Sequence, residues 1–166
     1  MNWILAGLLM SAPIVAVAMD GNMDESFFKH AAESGMAEVK AGQLAQDKAS
    51  NQELKDFGAM MVKDHSAANN KLESIAAAQN IKLPKSPSTM QAASYKELQM
   101  HSGDSFDRAY VKSQIKGHED AVALFQKEVS NGKNPQAKEF AAATLPTIQE
   151  HLSKIKQIAQ AKGISS

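Results

Sequence analysis

Residues 57–72, FGAMMVKDHSAANNKL, decide the architecture, because they read as a helix with one apolar face and a histidine set into it. With successive residues about 100° apart, Leu54, Phe57, Met61, His65, Ala68, Leu72 and Ile75 share one side, while Lys63 and Ala67 turn away. A titratable imidazole therefore points at a core. Two later segments repeat the pattern. His118 falls among Val111, Ile115, Val122, Phe125 and Val129, and His151 among Phe140, Ile148, Ile155 and Ile158. An earlier segment places Glu38 beside Phe28, Ala31, Gly35, Val39 and Gly42. Four helices each send one metal-capable side chain inward.

The boundaries of those helices follow from capping and breaking residues. Asp24 is a candidate cap for a first helix running to Lys48, with Gly35 and Gly42 on the inner face where a neighbour can come close. Ser50 and Glu53 have the spacing of a capping box, so a second helix starts almost at once and must run antiparallel to the first until about Asn80. Pro84 and Pro87 interrupt the chain. Ser88 with Gln91 then predicts a short helix to Met100. A third long helix follows Asp104 and stops at Asn131 and Gly132. A fourth begins with Asn134 as cap and Pro135 at its first position, and Pro146 should kink it before His151.

Two antiparallel hairpins joined by some twenty residues make an all-α, ferritin-like four-helix bundle with a long crossover, carrying a short helix, from the second to the third long helix. Extended chain covers about 3.3 Å per residue, so the crossover can span a bundle of about 40 Å. The four inward polar residues lie within about one turn of a common depth.

The chain has 166 residues and 43% hydrophobic content, enough for one core, and its 18 basic and 18 acidic residues cancel. No nucleic-acid groove or polybasic membrane patch is indicated. Residues 3–18, WILAGLLMSAPIVAVA, form a short apolar run ending in Ala16 and Ala18 at the positions of a signal-peptidase site, although no Lys or Arg precedes it. We read 1–18 as a signal peptide and 19–166 as the bundle, with Met19 as the mature start and no stable transmembrane span after cleavage. The address is the periplasm or the cell exterior, including association with the outer membrane. The absence of cysteine excludes disulfides, iron–sulfur clusters and c-type haem.

FFKHAAESGMAEVKAGQLA, FGAMMVKDHSAANNKL, FDRAYVKSQIKGHEDAVALF and LPTIQEHLSKI together resemble a bacterial family of ferritin-like secreted proteins of unknown function, domain-of-unknown-function family 4142, described as predicted outer membrane proteins. The resemblance covers nearly all of the mature chain. It implies a helical bundle outside the cytoplasm and no established reaction.

Three imidazoles and one carboxylate suffice for one zinc, iron or copper ion, so Glu38, His65, His118 and His151 are the candidate metal ligands. Chance alone puts three of five His on apolar stripes covering a third of positions roughly one time in five. The shared depth and the carboxylate add weight. The competing reading is that His65, His118 and His151 are core histidines bonded to neighbours or buried water, with Glu38 forming an ion pair with one of them. A di-iron oxidase is disfavoured, since Val62 and Ile148 stand where Glu-x-x-His would need glutamates. Asp64, Glu119 and Glu150 adjoin the histidines as outer groups, and His30 and His101 fall outside the stripes. The nine methionines read as core filler and signal residues before they read as copper ligands. No nucleophile elbow or phosphate loop supports an enzyme. Two functions remain: a secreted bundle that stores, buffers or senses one transition metal, and a structural or stress-related envelope protein that acts by protein contact.

Overall fold

The computed structural model describes residues 23–164. The expected signal peptide and the Met19 start lie outside them. Five helices occur in the order α1 (Met23–Lys48), α2 (Gln52–Ala78), α3 (Thr89–Met100), α4 (Gly103–Asn131) and α5 (Pro135–Ala161), with no strand among the described residues.

Local chemistry sets the ends of these helices. Asn51 caps α2 by accepting from the Glu53 backbone N–H, which corrects the expected Ser50 box. Ser50 instead donates through its backbone N–H and hydroxyl to the two carboxylate oxygens of Asp107, at 3.1 and 2.6 Å, and ties the α1–α2 turn to the start of α4. Ser88 and Gln91 form the reciprocal capping box of α3. Asn134 accepts from the Gln136 and Ala137 N–H groups ahead of Pro135. Helix α5 runs on through Pro146. Just before it, the Thr144 hydroxyl donates to the Phe140 carbonyl at 2.8 Å.

Asp107 at the start of α4 meets Ser50 after the end of α1, so α1 and α4 run antiparallel. Phe57 of α2 and Tyr110 of α4 meet near the starts of both helices, so these two are parallel and the crossover 79–102 must return along the bundle. That is the ferritin-like connectivity. Lys48 holds the returning segment to α1 by donating to the carbonyls of Gln99 and His101. No described helix is long and apolar enough to cross a membrane.

The core divides into two apolar layers. One is built on Leu54, Phe57, Met61, Phe106, Tyr110 and Ile155. The other is built on Phe27, Phe28, Leu72, Phe125, Phe140 and Ile148, with Phe27 and Phe125 edge to face at 5.0 Å. Each fully buried side chain of this size contributes about 1.5–3 kcal/mol of transfer free energy. The helices α1 and α2 approach closely where Gly42 faces Gly58, since a Cβ on either would lie 2.6 Å from the other's carbonyl oxygen.

At the end of the bundle where α1 begins, Asp24 does not cap its own helix from outside. It lies within α1, is buried, and accepts from the Lys133 backbone N–H at 2.9 Å. Glu128 is buried beside it. Burial, and then the neighbouring Asp24 carboxylate, push the Glu128 pKa from 4.5 up to about 7, against the pull of Lys138. A folded-state acid with a raised pKa holds a proton that the unfolded chain has released. Its share of stability is therefore full below about pH 4.5 and is lost as pH rises through about 7. The lowered pKa values of His65 and His151 act with the opposite sign, so the comparison must be between proteins. Wild type should lose melting temperature relative to Glu128→Gln as pH rises from about 4.5 to about 7, as read by paired thermal melts. Parallel curves would mean that Glu128 is ionised throughout.

Candidate metal centre

The two apolar layers are separated by a layer of imidazoles. His65 comes from α2, His118 from α4 and His151 from α5. Their ring centroids form a nearly equilateral triangle: 5.7 Å from His65 to His118, 5.5 Å from His65 to His151 and 5.5 Å from His118 to His151. One ligand nitrogen from each lies within 4.8 Å of the other two. His118 and His151 are about as buried as the phenylalanines around them, at 1% and 2% exposure.

Hydrogen bonds fix which nitrogen two of the three rings offer. His118 Nδ1 lies 2.9 Å from the Gln114 carbonyl, which can only accept, so Nδ1 carries the proton and the neutral ring keeps its lone pair on Nε2. His151 Nε2 lies 3.0 Å from a carboxylate oxygen of Asp64 and donates to it, which leaves the lone pair on Nδ1. His118 Nε2, His151 Nδ1 and His65 Nε2 are all buried without a hydrogen-bond partner in the protein. A buried polar atom left unpaired costs about 1–3 kcal/mol, and three at one point are a large concession for a structural core.

Electrostatics favour the neutral form of His65 and of His151. Burial, then the neighbouring His118 and His151, lower the His65 pKa to about 3. Burial also lowers that of His151, with the Asp64 hydrogen bond acting the other way. Neutral imidazole is the form that binds a metal, and the Asp64–His151 pair repeats the carboxylate–histidine arrangement that orients ligands from behind. The donor set therefore fits a single zinc, copper or iron ion. Bond lengths of about 2.0–2.1 Å would draw the three nitrogens somewhat closer together.

Glu38 stands beside this group and outside it. Its Oε2 accepts from Gln114 Nε2 at 2.6 Å, and the lack of a side chain at Gly117 leaves room for its Oε1. Of the four residues expected to converge, the structure gathers the three histidines. The carboxylate is diverted by Gln114, a buried amide that periodicity does not single out. Tyr110 keeps its phenolic proton, because burial and then the Glu38 charge raise its pKa. Glu119 pairs with Lys156 at 2.6 Å, and Glu150 is exposed. His30 is exposed and His101 half-buried, both apart from the cluster. Met61 is fully buried in the apolar layer.

The family model described as Domain of unknown function (DUF4142) matches residues 10–158. No curated protein matches the chain. Among solved structures, the one described as CopM in the Cu(I)-bound form aligns with a TM-score of 0.69 at 18% identity, covering 84% of this chain and 96% of that one. CopM in the silver-bound form gives 0.68 at 17% identity, over 83% and 96%. A putative secreted DUF305 protein from Streptomyces coelicolor gives 0.70 at 12% identity, over 87% and 96%. At these identities the likeness is one of fold.

Proposed function

The chain belongs to the DUF4142 family, and we propose that it is a secreted or periplasmic helical bundle that binds one transition-metal ion through His65, His118 and His151, to store, buffer or sense that metal. The observation that carries this reading is the convergence of three partnerless, buried imidazole nitrogens from three different helices. A core that needed only shape would fill that layer with leucine.

The fold likeness supports the reading, since two of the similar structures are of CopM with copper(I) and with silver bound. The described secreted neighbour supports the address outside the cytoplasm. Imidazole suits copper and zinc, and also iron, while the absence of cysteine removes the thiolates that would favour softer sites. A bound ion would act as a Lewis acid held by three neutral donors. The chain's own part is to orient the rings, through Asp64 on His151 and the Gln114 carbonyl on His118, and to keep bulk water away with the Phe57 layer.

Elemental analysis and calorimetric titration of the purified protein test this. One equivalent of copper or zinc per chain, with loading that survives desalting, is the expected result. Wild-type protein that holds no metal, and melts identically with metal and with chelator, would transfer the case to an envelope protein acting by contact.

A further inference from the structure

The two sides of the histidine layer are not alike. On one side Phe57 packs on His118, with ring centroids 6.4 Å apart, and the fully buried Met61 closes the layer. On the other side lies a cavity of about 30 Å³, walled by His65 and His118 together with Glu38, Asn69, Ala121 and Thr144. A void of that size holds about two waters, since one needs roughly 10–15 Å³. The histidines come from α2, α4 and α5, while α1 gives the cavity small residues and Glu38, whose charge is already taken up by Gln114.

We infer that the metal held by the three histidines keeps an exchangeable coordination position facing this cavity, which admits a small exogenous oxygen- or nitrogen-donor ligand the size of water or azide. The inference rests on the metal reading of the previous subsection and adds a ligand class to it. Three protein donors and one open position is the pattern of reactive metal sites, whereas closed sites have four. The Asn69 carboxamide and the Glu38 carboxylate give the cavity hydrogen-bonding partners for such a molecule. The remaining wall is mostly apolar and sets its size.

The test uses the full chain loaded with one equivalent of Cu(II), and azide as the probe. Azide should produce a saturable charge-transfer absorption and change the copper hyperfine pattern in electron paramagnetic resonance. Ala121→Leu, which fills the cavity from α4, should keep its one metal per chain and bind azide about tenfold or more weakly, a difference of about 1.4 kcal/mol. Ala68→Leu fills it from α2 and serves the same purpose if the first variant does not fold. Failure to load copper at all would count against the metal reading. Copper that loads and ignores azide, in wild type and in Glu38→Ala alike, would overturn the open position alone. A response seen only in Glu38→Ala would also overturn it, by showing that the Glu38 carboxylate closes the fourth position.

Discussion

The His118→Ala protein is expected to bind no stoichiometric metal, and the His65→Leu protein to show why the wild-type core tolerates three unpaired nitrogens. Both lose one of three ligands, and two imidazoles on a buried site leave too few donors for a tight complex. The stability consequences differ with conditions. With free metal at about a thousand times Kd, a wild type that binds only when folded gains about 4 kcal/mol, or roughly 10 °C in a domain of this size. Neither variant gains it. In chelator the gap should close for His65→Leu, because leucine replaces a ring whose Nε2 has no partner and which burial keeps neutral to about pH 3. Removing that orphan recovers about 1–3 kcal/mol of desolvation, set against imperfect fit of the new side chain, which costs about 1–3 kcal/mol when overpacked. His65→Leu should therefore melt about level with wild type in chelator and well below it in metal. Differential scanning calorimetry in the two buffers decides. A His65→Leu protein that is much less stable than wild type in both would mean that the imidazole holds the core by itself.

What the sequence disclosed and what it concealed divide along physical lines. Periodicity finds the inward face of a long helix, because burial of an apolar stripe must repeat every 3.6 residues, and so His65, His118 and His151 were legible as inward residues. Depth was legible too, since rise per residue is constant and the turns are short. The crossover helix was marked at its start by local chemistry, Ser88 with Gln91. Side-chain partners between distant helices carry no such signal. Gln114 taking Glu38, Asp107 holding Ser50 and Glu128 buried against Asp24 all join residues more than fifty positions apart, and no local pattern pairs them. Glu128 is the plainest case, for the stripe rule puts Val129 inside, while the structure leaves Val129 half-buried and encloses its acidic neighbour. Asp64 was legible as adjacent to His65. That it would serve His151, across the bundle, was not.

Gly42→Ala and Gly58→Ala should each destabilise the protein, although helix propensity alone predicts the reverse. Alanine in a helix interior is better than glycine by about 1 kcal/mol, which would make both substitutions favourable if the positions were open. They are not open. A Cβ on Gly42 would meet the Gly58 carbonyl oxygen at 2.6 Å, with the Met61 Cβ and Val62 Cγ2 at 3.1 Å, and a Cβ on Gly58 would meet the Gly42 carbonyl at 2.6 Å and the Ala45 Cβ at 3.0 Å. The nearest obstacle in each case is backbone, which cannot rotate aside, so α1 and α2 must separate along their contact. Overpacking of this kind costs about 1–3 kcal/mol and at times more, which cancels or exceeds the propensity gain. Gly117→Ala supplies the control. Its Cβ would meet only the Glu38 Oε1, at 3.0 Å, the movable end of a side chain, so propensity should prevail there. The double substitution at Gly42 and Gly58 should cost less than the sum of the two, because helices already forced apart by one methyl have room for the second. The disturbance also reaches the metal, for His65 lies two turns beyond Gly58 on the same helix, and displacing α2 moves one ligand against the other two. Urea denaturation would measure the first effect and metal titration the second. A more stable Gly42→Ala protein would show that the two helices do not approach as closely in solution as these contacts require.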